Sequence, residues 1–365
     1  MKHAKTIYLT NVRWVTVLIV LLYHVCYMYN GVGIAGNIFG STPIPFFDTL
    51  ASIVYPWFMV LLFVVAGMDS WYALQSRSGK VFLKQRAIKL LVPSTVGLFV
   101  YQWLTGYQMM KINPEMAGIS IPFPISWLIN ALSGTGPLWF VQMLFVFSVL
   151  LVLITKGNWA ENFRKRCVHL PAWRIVLLVV PVWTSGLILN TPVLTMYRFG
   201  IYFMAFLIGY FIFSHESVQE KIEKIAPITL VAAVVCAVVY VICFHGMNFT
   251  TDAVLQNPLT CLYLWMAVLA VLGSFKRWFN RQTKFTEFMA GCSYGLYIVH
   301  YPVLLWLCIL CAVTLHLPAW ACYVIGFAGV IPLSLAVYEI LRRIPLIRLL
   351  VLGISKKKVL HQTGA

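Results

Sequence analysis

Long apolar stretches dominate the chain and follow one another with only short polar connections between them. A helix that spans a bilayer needs about 20 consecutive, mostly apolar residues, and about ten stretches come close to that length. The pattern therefore predicts an all-α, polytopic membrane protein with about ten transmembrane helices. For the fifth and sixth stretches, the alternative is one long helix that is broken at Pro192. The stretches cover residues 12–29, 50–74, 88–110, 137–155, 174–190, 197–213, 226–246, 257–274, 290–314 and 318–341.

The composition agrees with a membrane protein and excludes a water-soluble globule. The chain is 61% hydrophobic and 10% charged, whereas a soluble domain usually has about 25% charged residues. Ten spans would use about 200 of the residues, which leaves tails and loops but no room for a folded soluble domain. We therefore expect one transmembrane domain over residues 1–350 and a basic cytoplasmic tail over residues 351–365.

The charge is strongly positive, with 27 Lys and Arg against 10 Asp and Glu. Nucleic acid is not the expected partner, because the chain has no basic low-complexity tract, zinc-ligand spacing or aromatic-basic platform. If the N-terminus is inside, every Lys and Arg except Lys111 and Arg198 falls in a predicted inner segment. Cytoplasmic loops retain such residues, so both termini are predicted to be cytoplasmic. The tail around Lys356–Lys358 is expected to bind anionic membrane lipid.

The first apolar stretch also has features of a cleaved secretory signal, because Lys2 and Lys5 precede it and small residues follow it. Arg13 and His24 interrupt a core that is uniformly apolar in a signal peptide. A retained transmembrane helix is therefore the favoured interpretation.

The predicted outer side offers two features of interest. The longest outer connection, residues 111–136, contains several prolines and few polar groups, and we predict an interfacial or re-entrant segment there. Trp139 begins the next span in the sequence GPLWF. A tryptophan at this depth is expected in any aromatic belt, and a stacking surface for a sugar is the functional alternative.

Ionisable residues inside apolar spans are costly and mark functional sites by default. Arg13 and His24 are eleven residues apart, so at about 100° per residue they point from one helix face, about 16 Å apart along the axis. A cation at the water boundary and an imidazole deep in the membrane suit an extended anionic ligand that enters from the cytoplasm. The structural alternative is that Arg13 is a topology anchor and His24 bonds a neighbouring helix.

The ninth span carries a second polar stripe. Ser293, Tyr297 and His300 follow one another at four and three residues, which is one helical face. His300 is expected at the depth of His24, where the two imidazoles could line one cavity. Burial favours the neutral imidazole, the form that a general base needs. Contacts between helices are the structural alternative for this stripe.

Arg86 and Lys89 form a cationic pair at the entrance of the third span. Their spacing of three residues lets both hold phosphate oxygens, and membrane anchoring is the alternative.

The nine cysteines are scattered through apolar stretches, where they are expected to be small buried hydrophobes. No metal site is predicted, although Cys308 and Cys311 form a C-x-x-C within a span.

Together these residues resemble the acyltransferase family 3 proteins, which are multi-pass enzymes of the bacterial cytoplasmic (inner) membrane. The pairing of Arg13-x10-His24 with the late SYGLYIVHYP segment is specific, and shorter matches lie between them. The resemblance implies an O-acyltransferase, with His24 as the proton acceptor and Arg13 beside it in catalysis. It also implies a cytoplasmic acyl-coenzyme A co-substrate held by Arg13, Arg86 and Lys89. The matching segments are NVRWVTVLIVLLYHV, FVVAG at Gly67, Arg86 with Lys89 before Pro93, PLWF at Trp139, FLIGY at Gly209, and Ser293 to Val303.

The chain departs from the family pattern at three positions. Thr10 replaces a common acidic residue, Ala66 replaces a serine, and Lys89 replaces an arginine.

Trp139, Ser293, Tyr297 and His300 are expected to contact or support the substrate. Acetyl-coenzyme A is the preferred donor. The expected acceptor is a glycan or another extracytoplasmic hydroxyl, and a separate extracytoplasmic transferase is a further candidate partner. The alternatives are succinyl transfer to periplasmic glucan, and a transporter of glycans or lipid-linked sugars, although no internal repeat of the transporter type is visible. The third alternative is a membrane scaffold in which the histidines have only a structural role.

Overall fold

A computed structural model of the chain describes residues 7–38, 42–113, 121–188 and 198–355. Across these ranges the regular structure is helical. By length and composition, eight helices are suited to cross a membrane. They are α1 (Ile7–Met28), α2 (Pro45–Leu74), α3 (Gly79–Ile112), α5 (Gly136–Ile154), α9 (Glu216–Phe244), α10 (Pro258–Trp278), α11 (Lys284–Thr314) and α12 (Ala319–Arg343). The shorter helices include α4 (Phe123–Ser133), α6 (Asn158–Cys167), α7 (Ala172–Gly186), α8 (Phe199–Phe213) and α13 (Pro345–Leu352).

The eight long helices match eight of the ten predicted spans, which confirms the all-α, multi-pass prediction. The fifth and sixth predicted spans correspond to α7 and α8, two apolar helices that are shorter than a full span. Pro192, between them, lies outside the described residues, as do Lys2, Lys5 and Lys356–Lys358. Ten spans, the cytoplasmic side of the termini and the single domain over residues 1–350 stay predictions.

The predicted interfacial connection contains the apolar helix α4. Several of its large apolar side chains are exposed, among them Phe123, Ile125 and Leu132. Exposed apolar side chains on a short helix fit contact with lipid, because lipid is as apolar as the side chains themselves. Location at the membrane interface stays a prediction.

The described chain divides into two compact units, and each is assembled from separate parts of the sequence. The first unit comprises residues 1–19, 49–82 and 146–291, and the second comprises residues 20–48, 83–145 and 292–365.

The first unit contains a close approach of two helix backbones. A Cβ atom at Gly67 on α2 would collide with the carbonyl oxygen of Phe206, and one at Gly209 on α8 would collide with that of Val64. Helices in lipid associate through such small residues, because close backbones gain van der Waals contact. The FVVAG and FLIGY segments are therefore the two halves of one helix crossing.

The second unit is organised around α11, which makes close contacts with several neighbouring segments. At Gly295 a Cβ atom would overlap the ring of Tyr338 on α12. The ring of Tyr301 lies under Gly136, whose φ is 44°. A left-handed backbone conformation at that position favours glycine. These close contacts fix the rotation of α11 and hence the direction of its polar stripe.

Candidate functional site

The two histidines of the membrane interior meet in the second unit. Nδ1 of His24 on α1 lies 3.2 Å from Nε2 of His300 on α11, and the ring centroids are 5.0 Å apart. His300 is fully buried, while His24 is half-buried. The two imidazoles therefore contact each other, and their common depth in the membrane stays a prediction.

The hydrogen bonds of the pair assign the proton on each ring. Nδ1 of His24 lies 2.8 Å from the carbonyl oxygen of Val20, and Nδ1 of His300 lies 2.8 Å from that of Tyr297. A carbonyl oxygen only accepts, so both Nδ1 atoms carry the hydrogen in the neutral rings. Nε2 of His300 then accepts from Nδ1 of His24, whose single hydrogen is shared between this nitrogen and the carbonyl oxygen of Val20. Nε2 of His24 keeps its lone pair, and no described residue donates to it.

Aromatic rings surround His24 on several sides. Tyr23 and Tyr301 meet the imidazole edge to face with centroid distances of 5.2 Å each, and Tyr27 does so at 5.9 Å. Such rings limit the access of water and lower the local dielectric, which strengthens hydrogen bonds inside the site. The arrangement provides a neutral imidazole with one unused basic nitrogen, which is what general-base chemistry requires.

The remaining stripe on α11 supports the pair. The hydroxyl of Tyr297 donates to the carbonyl oxygen of Pro137 at 2.5 Å, and Ser293 is buried one turn earlier. Phe140 meets the Tyr297 ring at 5.6 Å, and Trp139 meets Phe140 at 6.4 Å. The geometry gives Tyr297 a role in holding α11, whereas substrate contact by Ser293 or Trp139 stays a prediction.

Pro302 creates a gap in α11 that another helix fills. Proline has no N–H, so the carbonyl of Ile298, four residues earlier, loses its helical donor. The side-chain amide of Gln102 on α3 donates to that oxygen at 2.9 Å, and the Tyr101 hydroxyl donates to the next carbonyl, that of Val299, at 3.1 Å. These bonds tie α3 to α11 just before His300.

Sequence analysis missed Gln102 and Tyr101. Pro302 within a predicted span was the available signal, because it leaves a buried carbonyl that some donor must satisfy. The donor itself lies almost 200 residues away in the chain, and local patterns do not identify such a partner.

The predicted cationic pair belongs to the second unit. The ammonium of Lys89 lies 4.9 Å from the ring centroid of Tyr294 on α11, and the Tyr294 hydroxyl donates to the Lys89 carbonyl. Tyr294 precedes His300 by six residues, which is about 9 Å along the helix. Lys89 is exposed and Arg86, three residues earlier, is half-buried. A cation and the histidine pair therefore lie along one helix at different depths.

Arg13 lies in the first unit, where its guanidinium forms an ion pair with Asp69 of α2. Thr10 leaves Arg13 without the acid that the family commonly places nearby in sequence, and Asp69 supplies a carboxylate instead. Both side chains are partly exposed. The sequence of α1 runs without a break from Ile7 to Met28 and carries both Arg13 and His24.

The cysteines within the described residues are free thiols, and Cys308 and Cys311 are buried. In the same ranges, no three His, Cys, Asp or Glu side chains come together as ligands for a metal ion.

Comparison with known proteins assigns the chain to a family. The family model described as an acyltransferase domain matches residues 6–339, which is nearly the whole chain. No curated protein and no solved structure matches it. The matched region contains the histidine pair, the cations, seven of the eight long apolar helices and most of the eighth, α12. The chain therefore belongs to the acyltransferase 3 family and is a multi-pass membrane acyltransferase.

Proposed function

We propose that this enzyme transfers an acyl group from cytoplasmic acyl-coenzyme A to a hydroxyl of a glycan or other extracytoplasmic acceptor, in the inner membrane of a bacterium. Acetyl is the preferred group, and succinyl transfer to a periplasmic glucan is the second choice. The contact of His24 with His300, which leaves Nε2 of His24 unprotonated, is the observation that carries the proposal.

His24 acts as the general base. Its Nε2 takes the proton of the acceptor hydroxyl while the hydroxyl oxygen attacks the thioester carbonyl carbon. The carbon–sulfur bond breaks, and the leaving thiolate takes the proton back from the imidazolium, which gives an ester and free coenzyme A. His300 stabilises the imidazolium, because Nδ1–H of His24 donates more strongly when the ring is charged.

Arg13, Arg86 and Lys89 bind the phosphates of the donor, and Arg13 also assists catalysis. Acyl-coenzyme A has its phosphates at one end of a long arm and its thioester at the other. The exposed ammonium of Lys89 beside Tyr294 supports this orientation, because the same helix carries His300 about 9 Å further along. Lys89 is a point cation, whereas the arginines add planar, bidentate hydrogen bonding.

The acceptor binds from the outer side, where Trp139 offers a stacking surface for a sugar. The half-buried indole next to Phe140 supports this assignment. A separate extracytoplasmic transferase could receive the acyl group and complete the transfer.

The test is calorimetric binding of acetyl-coenzyme A and succinyl-coenzyme A to the purified full chain in nanodiscs. We expect Lys89→Ala and Arg86→Ala to weaken binding, each by about tenfold for one lost charge-assisted bond. His24→Ala should bind the donor normally but transfer no acyl group. Lys84→Ala is the matched control, because Lys84 is an exposed cation of the same helix that precedes the proposed site.

The preferred thioester identifies the acyl group. If the folded protein binds neither thioester, the donor assignment is wrong and the transporter alternative takes its place. If Lys84→Ala weakens binding as much as Lys89→Ala does, the phosphate site is wrongly located.

A further inference from the structure

The first unit contains a cavity of about 530 Å³ that the proposed reaction does not use. It lies where the ends of α2 and α8 meet helix α6, in the region that the charge pattern predicts to be cytoplasmic. Its volume falls within the range of small-molecule sites, about 300–1,000 Å³. The side chains that matter for binding are Trp71, Lys156, Arg164, Lys165, Tyr210 and His215.

Arg164 is fixed at the wall of this cavity. Its guanidinium donates to the carbonyl oxygen of Tyr210 at 3.0 Å and to the hydroxyl of Ser214, and lies 3.4 Å from Nδ1 of His215. The planar group also stacks on Trp71, with its central carbon 3.1 Å from the ring centroid. Arginine has five N–H donors. The described residues use three of them and leave two available.

No carboxylate balances the charge of Arg164 among the described residues. The acid of the cavity, Glu161, pairs with Lys165 at 2.8 Å, and Lys156 is exposed. Burial, followed by the charge of Arg164, lowers the pKa of His215 to about 4, so this ring is neutral near pH 7. Burial lowers the pKa of Arg164 only to about 10, so the guanidinium stays charged. The cavity therefore carries surplus positive charge.

A partly buried cation without a counter-charge is unfavourable unless an anion binds to it. A planar guanidinium with two adjacent donors matches the oxygens of a phosphate. We propose that this cavity binds the phosphate of an organic phosphate ester, held by Arg164 and assisted by Lys156. The ester comes either from a soluble nucleotide or from the headgroup of a membrane phospholipid, which present the same chemistry. The site is independent of the histidine pair, so its failure would leave the proposed reaction untouched.

The experiment uses the full chain in phosphatidylcholine nanodiscs, with ADP as the soluble probe and adenosine as the phosphate-free control. We expect ADP to bind and adenosine not to bind. Arg164→Lys keeps the charge but loses the planar donors, and Lys156→Gln removes an exposed cation. Each should raise the dissociation constant of ADP by about tenfold, the effect of one charge-assisted hydrogen bond.

Arg166→Gln is the matched control, because Arg166 is an exposed cation of α6 that does not line the cavity. A second arm compares thermal unfolding in nanodiscs with and without phosphatidylglycerol. If phosphatidylglycerol stabilises the wild type but not Lys156→Gln, and ADP does not bind, the phosphate is that of a lipid headgroup. Absence of both effects, or equal loss with Arg166→Gln, overturns the proposal.

Discussion

At the scale of single residues, His300 acts on His24 through one nitrogen. Its Nε2 shares the Nδ1 proton of His24 with the carbonyl oxygen of Val20, which fixes the tautomer and leaves the other nitrogen of His24 as the proposed base. In the proposed reaction His300 orients His24 and stabilises its charged form through this one bond, so it is a positioning residue. A partner that orients a catalytic imidazole in this way has the task of the aspartate in a serine protease triad.

Replacement of His300 tests this role. We expect His300→Leu to lower kcat by about ten- to a hundredfold, the range for loss of an orienting partner. The KM for the donor should change little, because the cations bind it. His300→Gln should recover part of kcat, because its side-chain oxygen can accept from Nδ1. The measurement is steady-state kinetics of wild type, His300→Leu and His300→Gln. An equal loss of kcat in the two variants would contradict a positioning role.

His215 predicts a pH dependence of stability. Its pKa is about 4 in the folded protein and 6.5 ordinarily, because burial and Arg164 disfavour the charged ring. The unfolded chain therefore binds the proton more readily between these values. The contribution of the neutral ring is intact above about pH 6.5 and declines as the pH falls towards 4.

The measurement is the melting temperature of wild type and His215→Asn from pH 7.5 to 4.5. Asn offers an oxygen to Arg164 and an N–H to the Arg164 carbonyl but does not titrate. We expect a shallower decline for the variant. Parallel curves would show that His215 does not contribute to the acid sensitivity.

At the scale of helices, α11 combines a structural weakness with His300, one member of the proposed histidine pair. Pro302 removes one backbone hydrogen bond within two residues of His300, and Gln102 of α3 replaces it from outside. The position of His300 therefore depends on a helix that carries neither histidine of the pair. Loss of that support should affect activity as well as stability.

A double-mutant cycle isolates this contact. Gln102→Leu should lower the free energy of unfolding by about 1–3 kcal/mol, because a buried carbonyl is left without a donor. In a Pro302→Ala background, the new backbone N–H of residue 302 can donate to the carbonyl oxygen of Ile298. Gln102→Leu should then lower the free energy of unfolding by less. The difference between the two values is the coupling energy. A coupling near zero would refute the compensation.

The crossing of α2 and α8 makes a second prediction about helices. Gly67→Ala places a methyl group against the carbonyl oxygen of Phe206, and we expect a loss of about 1–3 kcal/mol from overpacking. Gly291→Ala is the control, since a Cβ atom there meets open space. Thermal unfolding of both variants is the measurement. Similar melting temperatures would show that the two helices can separate without cost.

At the scale of the whole molecule, the bilayer determines what the sequence can predict. Because the backbone must satisfy its own hydrogen bonds in lipid, long apolar runs become helices, and eight were located from composition alone. The cost of ionisable groups in the membrane likewise drew attention to His24 and His300. Asp69 as the partner of Arg13, and Gln102 as the donor to Ile298, were not predictable. Those pairs depend on tertiary packing between distant segments.

Topology yields a prediction for the entire chain. If ten segments cross the membrane, Lys111 lies outside and Arg277 inside. We expect Lys111→Cys to react with a membrane-impermeant maleimide in intact cells, and Arg277→Cys to react only after permeabilisation. Both tests require Cys243→Ser, because Cys243 is an exposed native thiol. The reverse labelling pattern would invert the proposed donor and acceptor sides.

The Nδ1 protons of the histidine pair go to neutral acceptors. His24 donates to His300 and to the carbonyl of Val20, and His300 donates to the carbonyl of Tyr297. A backbone carbonyl is neutral and accepts without passing a proton onward. A proton taken up by Nε2 of His24 therefore has no exit through His300 and returns at the same nitrogen. If the pair serves the proposed ester-forming reaction, it does so without conducting protons, and turnover then leaves the electrochemical gradient of the membrane intact.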